Sequence, residues 1–216
     1  MALTKFNFNS FDLTTVASTG LAFNSSANGF DTASAGAMTL ITTNTISSGV
    51  SSSSFTSGID STYDTYLFKF INIHPASDNV EFHFNFRDGS SAFDATKTTT
   101  YAYAYHKEDG SDAGQAYVGG RDLAQSTSYQ PINQGSDNDN DSSISGEVFL
   151  FSPSSTTFVK HFIGRVSHIE TSSPNFAVQA HFGGHINVTA AIDGVDFKFS
   201  SGNIDSGVIK MYGITK

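Results

Sequence analysis

Two runs in the middle of the chain restrict its conformation more than any other feature: Tyr66, Phe68 and Phe70 alternate with Leu67, Lys69 and Ile71, and Phe82, Phe84 and Phe86 alternate with His83, Asn85 and Arg87. Residues two apart share one face of an extended strand, whereas a helix scatters them around its axis. An aromatic at every second position is therefore a strand with one face turned into a core. In the second run, Glu81, His83, Asn85 and Arg87 read as the solvated face. Tyr101, Tyr103 and Tyr105 alternate with Ala102, Ala104 and His106 in a third run. Large rings on one parity and small residues on the other suit a buried tyrosine face.

The same reading gives strands over 37–48, 146–151, 157–166, 176–182, 193–199 and 207–214. Pro75, Gly89, Pro153, Gly183-Gly184, Gly194 and Gly202 punctuate them. No helical period intervenes, and 54 of 216 residues are Ser or Thr, whose hydroxyls compete with helical hydrogen bonds. The expected class is all-β: a single antiparallel sandwich, jelly-roll-like, of about eight to nine strands. Residues 37–216 form that domain. Residues 1–36 read as an extended arm, with Phe6, Phe8 and Phe11 offering one short strand. The serine-rich stretch 47–57 reads as a loop. Residues 107–143 read as the longest irregular region, outside the core, with a helical turn near 121–125.

With 11 basic residues against 20 acidic, the formal charge is −9, which repels phosphate backbones and argues against a nucleic-acid partner. No apolar run approaches the ~18 residues that suggest a membrane-spanning helix. The first nine residues lack a basic region followed by an apolar one, so no secretory signal is expected. Cysteine is absent, which removes disulfides and thiolate metal ligands.

Asp137, Asp139 and Asp141 stand at the first, third and fifth places of a calcium-loop spacing. Ser142 then occupies the glycine position, and Glu147 falls one place before the bidentate one. These aspartates are the metal candidates, against the plainer reading of a solvated loop. Seven histidines (His74, His83, His106, His161, His168, His181, His185) lack ligand spacing, since His181 and His185 stand ~13 Å apart along a strand. They read as strand-surface or turn residues. Glu81, Glu108, Glu147 and Glu170 supply carboxylates without a legible pairing for glycoside hydrolysis. No catalytic residue and no cofactor is expected. Tyr117 and Tyr129 read as loop aromatics suited to a host glycan.

Three stretches, YDTYLFKFINIHPASD (63–78), SPSSTTFVKHFIGR (152–165) and FKFSSGNIDSGVIKMYGI (197–214), resemble segments of a family of virion structural proteins of marine tailed phages, those of cyanophages and similar podoviruses. The resemblance runs from about residue 59 to the C-terminus and brings no catalytic signature. It implies a particle-building role on the virion surface, as capsid decoration or as part of a tail or fibre, with other virion proteins as partners. Homotrimerisation is the expected assembly. An adsorption module that binds host glycan and a polysaccharide hydrolase are the alternative expectations.

Overall fold

The computed structural model describes residues 20–23, 30–33, 37–170 and 175–214. By contacts the chain divides into two units, Met1–Met38 and Thr39–Lys216. In the first, β1 (Gly20–Phe23) pairs antiparallel with β2 (Phe30–Ala33), so this part of the expected arm folds back on itself as a hairpin. Phe6, Phe8 and Phe11 lie outside the described residues.

In the second unit, β3 (Met38–Ile46), β14 (Ile204–Ile214), β5 (Thr65–Pro75), β10 (Ile144–Phe151), β11 (Lys160–Glu170), β12 (Phe176–Ile186), β7 (Lys97–Lys107) and β8 (Ala113–Tyr117) lie side by side in that order. A smaller sheet runs β4 (Ser53–Phe55), β13 (Gly194–Phe199), β6 (Phe82–Arg87) and β9 (Gln130–Pro131). The paired strands whose register is resolved are antiparallel, and the class is an all-β sandwich. Much of the chain passes repeatedly from one sheet to the other, as from β4 to β5 to β6 to β7 and from β12 to β13 to β14.

The aromatic parity does what the alternation requires. Tyr66, Phe68 and Phe70 on β5, Phe82, Phe84 and Phe86 on β6, and Phe162 on β11 are buried between the sheets. Phe197 on β13 sits among Phe55, Phe68, Phe70, Phe82 and Phe84, with ring centroids 5.1 to 6.2 Å apart. Such edge and tilted pairs add to the hydrophobic gain of burial. The third run behaves similarly: Tyr101 is fully buried, Tyr103 and Tyr105 are half-buried, and Ala102 and Ala104 face out.

Several expectations are corrected. The described residues hold fourteen strands, more than the eight or nine expected, because short pairings are silent in a serine-rich or polar sequence. Ser53–Phe55, inside the expected loop, pairs with β13 through Ser53↔Phe197 and Phe55↔Val195. Residues 107–143 are not external to the core. They supply β8, β9 and a 3-10 turn at Gly119–Arg121, and they bury Gln130, Ile132, Asn133 and Ser136. That segment covers the supposedly wet face of β6. Asn85 is fully buried there, with its Nδ2 donating to Thr127 O (2.8 Å) and its Oδ1 accepting from Lys97 Nζ (2.5 Å). Gly183-Gly184 does not end a strand but lies inside β12. A Cβ at Gly184 would come within 2.3 Å of Thr98 O on β7, so close sheet packing, not a turn, requires that glycine.

Candidate functional site

The outer face of the eight-stranded sheet carries the site. Strand alternation that sends Val148, Phe162 and Ala180 inward sends Glu147, Phe149, Ile163, Arg165, His181 and Gly183 outward. The register then assembles them into rows across the strands. One row reads Tyr212, Leu67, Phe149, Ile163, Gly183, Thr100. The next reads Lys210, Lys69, Glu147, Arg165, His181, Ala102, Tyr117. An apolar row thus lies beside a charged one.

Over β10, β11, β12 and β7 these rows enclose a trough of about 610 Å³, lined by Phe149, Ile163, Arg165, Glu147, His181 and Gly183 among others. A second depression of about 460 Å³ continues it over β8 to Gln115 and Tyr117, sharing Ala102 and His181 with the first. The floor is low because its residues are small. At Gly183 a Cβ would stand 3.4 Å from Ile163 Cγ2, so any larger side chain there would rise into the trough.

Each wall has a physical anchor. Phe149 stacks on Phe151 at 6.3 Å with ring planes 9° apart, and Ile163 stays 54% exposed beside it. Arg165 reaches Glu147 Oε1 through both Nε (3.0 Å) and Nη2 (2.8 Å), which orients the guanidinium while leaving most of it in solvent. At the far rim Tyr117 donates its hydroxyl to Asp122, whose other oxygen accepts from Tyr101 N (2.8 Å). That hydrogen bond to the carboxylate raises the Tyr117 pKa and holds the ring, 66% exposed, at the trough's edge.

A second polar cluster gathers, half-buried, around Arg121. Arg121 donates to Glu81 Oε1 (2.5 Å) and to Gln134 O (2.9 Å), and its guanidinium stands 5.7 Å from the Tyr101 ring. Glu81 also meets His83 Nε2 at 3.2 Å. Burial, reinforced by Arg121, pulls the pKa of His168 down to about 4. Burial is also the largest influence on Glu170 and raises its pKa, against the opposing pull of Arg121. Tyr101 Oη, Gln134 Nε2 and His168 Nδ1 are buried without a protein hydrogen-bond partner. The cluster ties the 107–143 segment to both sheets, with its charged groups Arg121 and Glu81 half-buried.

The aspartates singled out for a metal are not brought together. Asp137 accepts from Asn79 N (2.8 Å), while Asp139 and Asp141 are exposed. Among the described residues no group of three His, Cys, Asp or Glu side chains is arranged to hold a metal ion. The histidines separate: His161 and His185 face one another across β11 and β12 at 6.3 Å, His181 is exposed in the trough, and His168 is buried instead of lying at a surface. Tyr117 is open to solvent, whereas Tyr129 is half-buried, donating to Asp196 Oδ2 (2.8 Å) under Lys198 Nζ. Phe149, Ile163, Arg165 and Gly183 were not singled out from the sequence as site residues. Their signal was present in Glu147, Phe149, Phe151 and in His161, Ile163, Arg165, outward positions where apolar and charged residues mix. No family model, no curated protein and no solved structure matches this chain.

Proposed function

We propose that the chain is a non-enzymatic structural protein of a virus particle, displayed on its surface as capsid decoration or as a tail or fibre component, and assembled as a homotrimer with other virion proteins as neighbours. The observation that favours a binding role is the outer trough, an open surface whose one lining carboxylate among the described residues, Glu147, is already engaged by Arg165. Hydrolysis of a glycoside calls for two carboxyl groups flanking one bond. A single, charge-compensated one suits recognition.

The resemblance supports the particle-building part. Its three stretches cover β5, the first half of β11, the second half of β13 and β14, and β14 and β5 are hydrogen-bonded neighbours. What is shared is therefore part of the scaffold together with Ile163 and Arg165 of the trough lining and Lys69 and Lys210 of the row beside it. Mass spectrometry of purified particles, followed by localisation of the chain in the intact particle by electron microscopy, tests the proposal. Stoichiometric copies on the particle surface are expected; absence from purified particles overturns it. Sedimentation should give three times the 23.0 kDa chain mass. The trough also favours a second reading, an adsorption module that contacts host glycan, for which binding of the isolated protein to host cells is the test.

A further inference from the structure

The charged row beside the apolar one has a sign opposite to that of the chain. Although the chain carries −9, the row across β14, β5, β10 and β11 places Lys210, Lys69 and Arg165 against the single carboxylate of Glu147, with His181 next along. Lys210 and Lys69 are direct cross-strand partners, an arrangement that like charges make unfavourable. Neither lysine is in an ion pair among the described residues. The row is thus locally cationic, with spare positive charge that an arriving anion would relieve.

The shape restricts what that anion belongs to. The two depressions form one path across five strands, from Phe149 on β10 to Tyr117 on β8. At ~4.8 Å per strand the path is roughly 19 Å long. Its floor of Ala102, Ala104 and Gly183 offers flat contact, Phe149 and Tyr117 offer aromatic faces, and Thr100, Gln115, His181 and Arg165 offer hydrogen-bonding groups. Aromatic faces against pyranose rings, interspersed with polar side chains for hydroxyls, are the chemistry of saccharide recognition. A small anion would need only the lysines, and an apolar partner would need no charged row.

From this combination we infer that the outer trough binds an acidic polysaccharide, with the sugar rings lying across the strands, one acidic group meeting Arg165 inside the trough, and the chain continuing past its β10 end to Lys69 on β5 and Lys210 on β14. The inference deepens the adsorption reading of this face and rests on it; the particle-building role does not depend on it. Gel retardation of the full-length protein in matrices containing polygalacturonate, dextran sulfate, neutral dextran or polyglutamate tests it directly. Retardation by polygalacturonate or dextran sulfate is expected, with none by dextran, and the stronger of the two identifies carboxylate or sulfate as the recognised group. Added salt should weaken it. Gly183→Val, which fills the trough floor, and Arg165→Ala, at an exposed side chain, should each reduce retardation at least tenfold while the thermal midpoint by circular dichroism confirms that the variants fold.

Equal retardation by polyglutamate would reduce the face to bare charge and overturn the inference, as would equal retardation by dextran, none by any polymer, or folded variants that bind like the parent. Host-cell binding by the parent and by Gly183→Val separates the two levels. Undiminished binding by the variant leaves adsorption standing and removes the trough from it. If the parent binds neither cells nor polymers, both fall.

Discussion

Lys97 is fully buried, with its Nζ donating to Asn85 Oδ1 (2.5 Å) and to Ala95 O (3.2 Å). Burial pulls its pKa down to about 7, against the opposing pull of Asp94. In the unfolded chain a lysine titrates near ~10.4, so between those values the unfolded state binds more protons and stability rises with pH. Below about 7 both states carry the charge and the cost of burying it is felt in full. The thermal midpoint should therefore climb between about pH 7 and 9.5, and Lys97→Met should flatten that climb, because Asn85 Oδ1 keeps its bond from Phe86 N. His168 acts at the other end. Its folded pKa of about 4 lies below the ~6.5 of an unfolded histidine, so stability falls as pH drops through that window, by on the order of 3 kcal/mol. His168→Gln should remove most of that acid-side slope in melts between about pH 6.5 and 4. Both residues were legible in one respect and not in another. Lys97 shares inward parity with Tyr101, as His168 does with Phe162 and Val166. A charged or titratable residue type nevertheless reads as surface, and only tertiary contacts bring the interior polar partners, Asn85 and Ala95 to Lys97 and Gln134 of the 107–143 segment to His168.

Among the elements, β13 anchors the aromatic core, because Phe197 meets Phe55 on β4 and Phe82 and Phe84 on β6 within its own sheet and Phe68 and Phe70 on β5 of the facing one. Truncating so enclosed a ring costs roughly 3–5 kcal/mol through lost transfer energy and the cavity left behind. At ~2–4 °C per kcal/mol for a domain of this size, Phe197→Ala should lower the thermal midpoint by roughly 6–20 °C. A shift under about 3 °C would mean that neighbouring rings collapse into the space. The long strands were readable because aromatic alternation over several residues has no helical explanation. Shorter ones were not: β4 and β9 are three and two residues long, which leaves no room for a period to declare itself. In β12 the glycine pair carried the wrong message, since the need for a close approach to Thr98 and a need for a turn look alike in a sequence. The trough was hidden for a related reason. Its members come from separate strands and become neighbours only through register, while Tyr101, Tyr103 and Tyr105, the obvious aromatic stripe, point the other way.

At the scale of the whole molecule, the two contact units differ in how they are held. In Thr39–Lys216 every core side chain among the described residues lies at Ile41 or beyond, and the phenylalanine cluster is drawn wholly from residues 55 to 199. A sandwich with its own closed aromatic core has the burial it needs to fold alone, since a chain of this length removes roughly 70% of its extended surface from water. A variant consisting of residues 37–216 should therefore melt cooperatively, with a midpoint within about 4 °C of the full chain, the shift that ~1 kcal/mol produces at this size. The same variant separates stability from assembly. If residues 1–36 serve contacts to neighbouring subunits, the shortened protein melts normally but sediments as 37–216 monomers and is lost from particles. A large fall in the midpoint would instead place part of the sandwich's stability in those first residues, and the boundary between arm and domain would have to move toward the N-terminus.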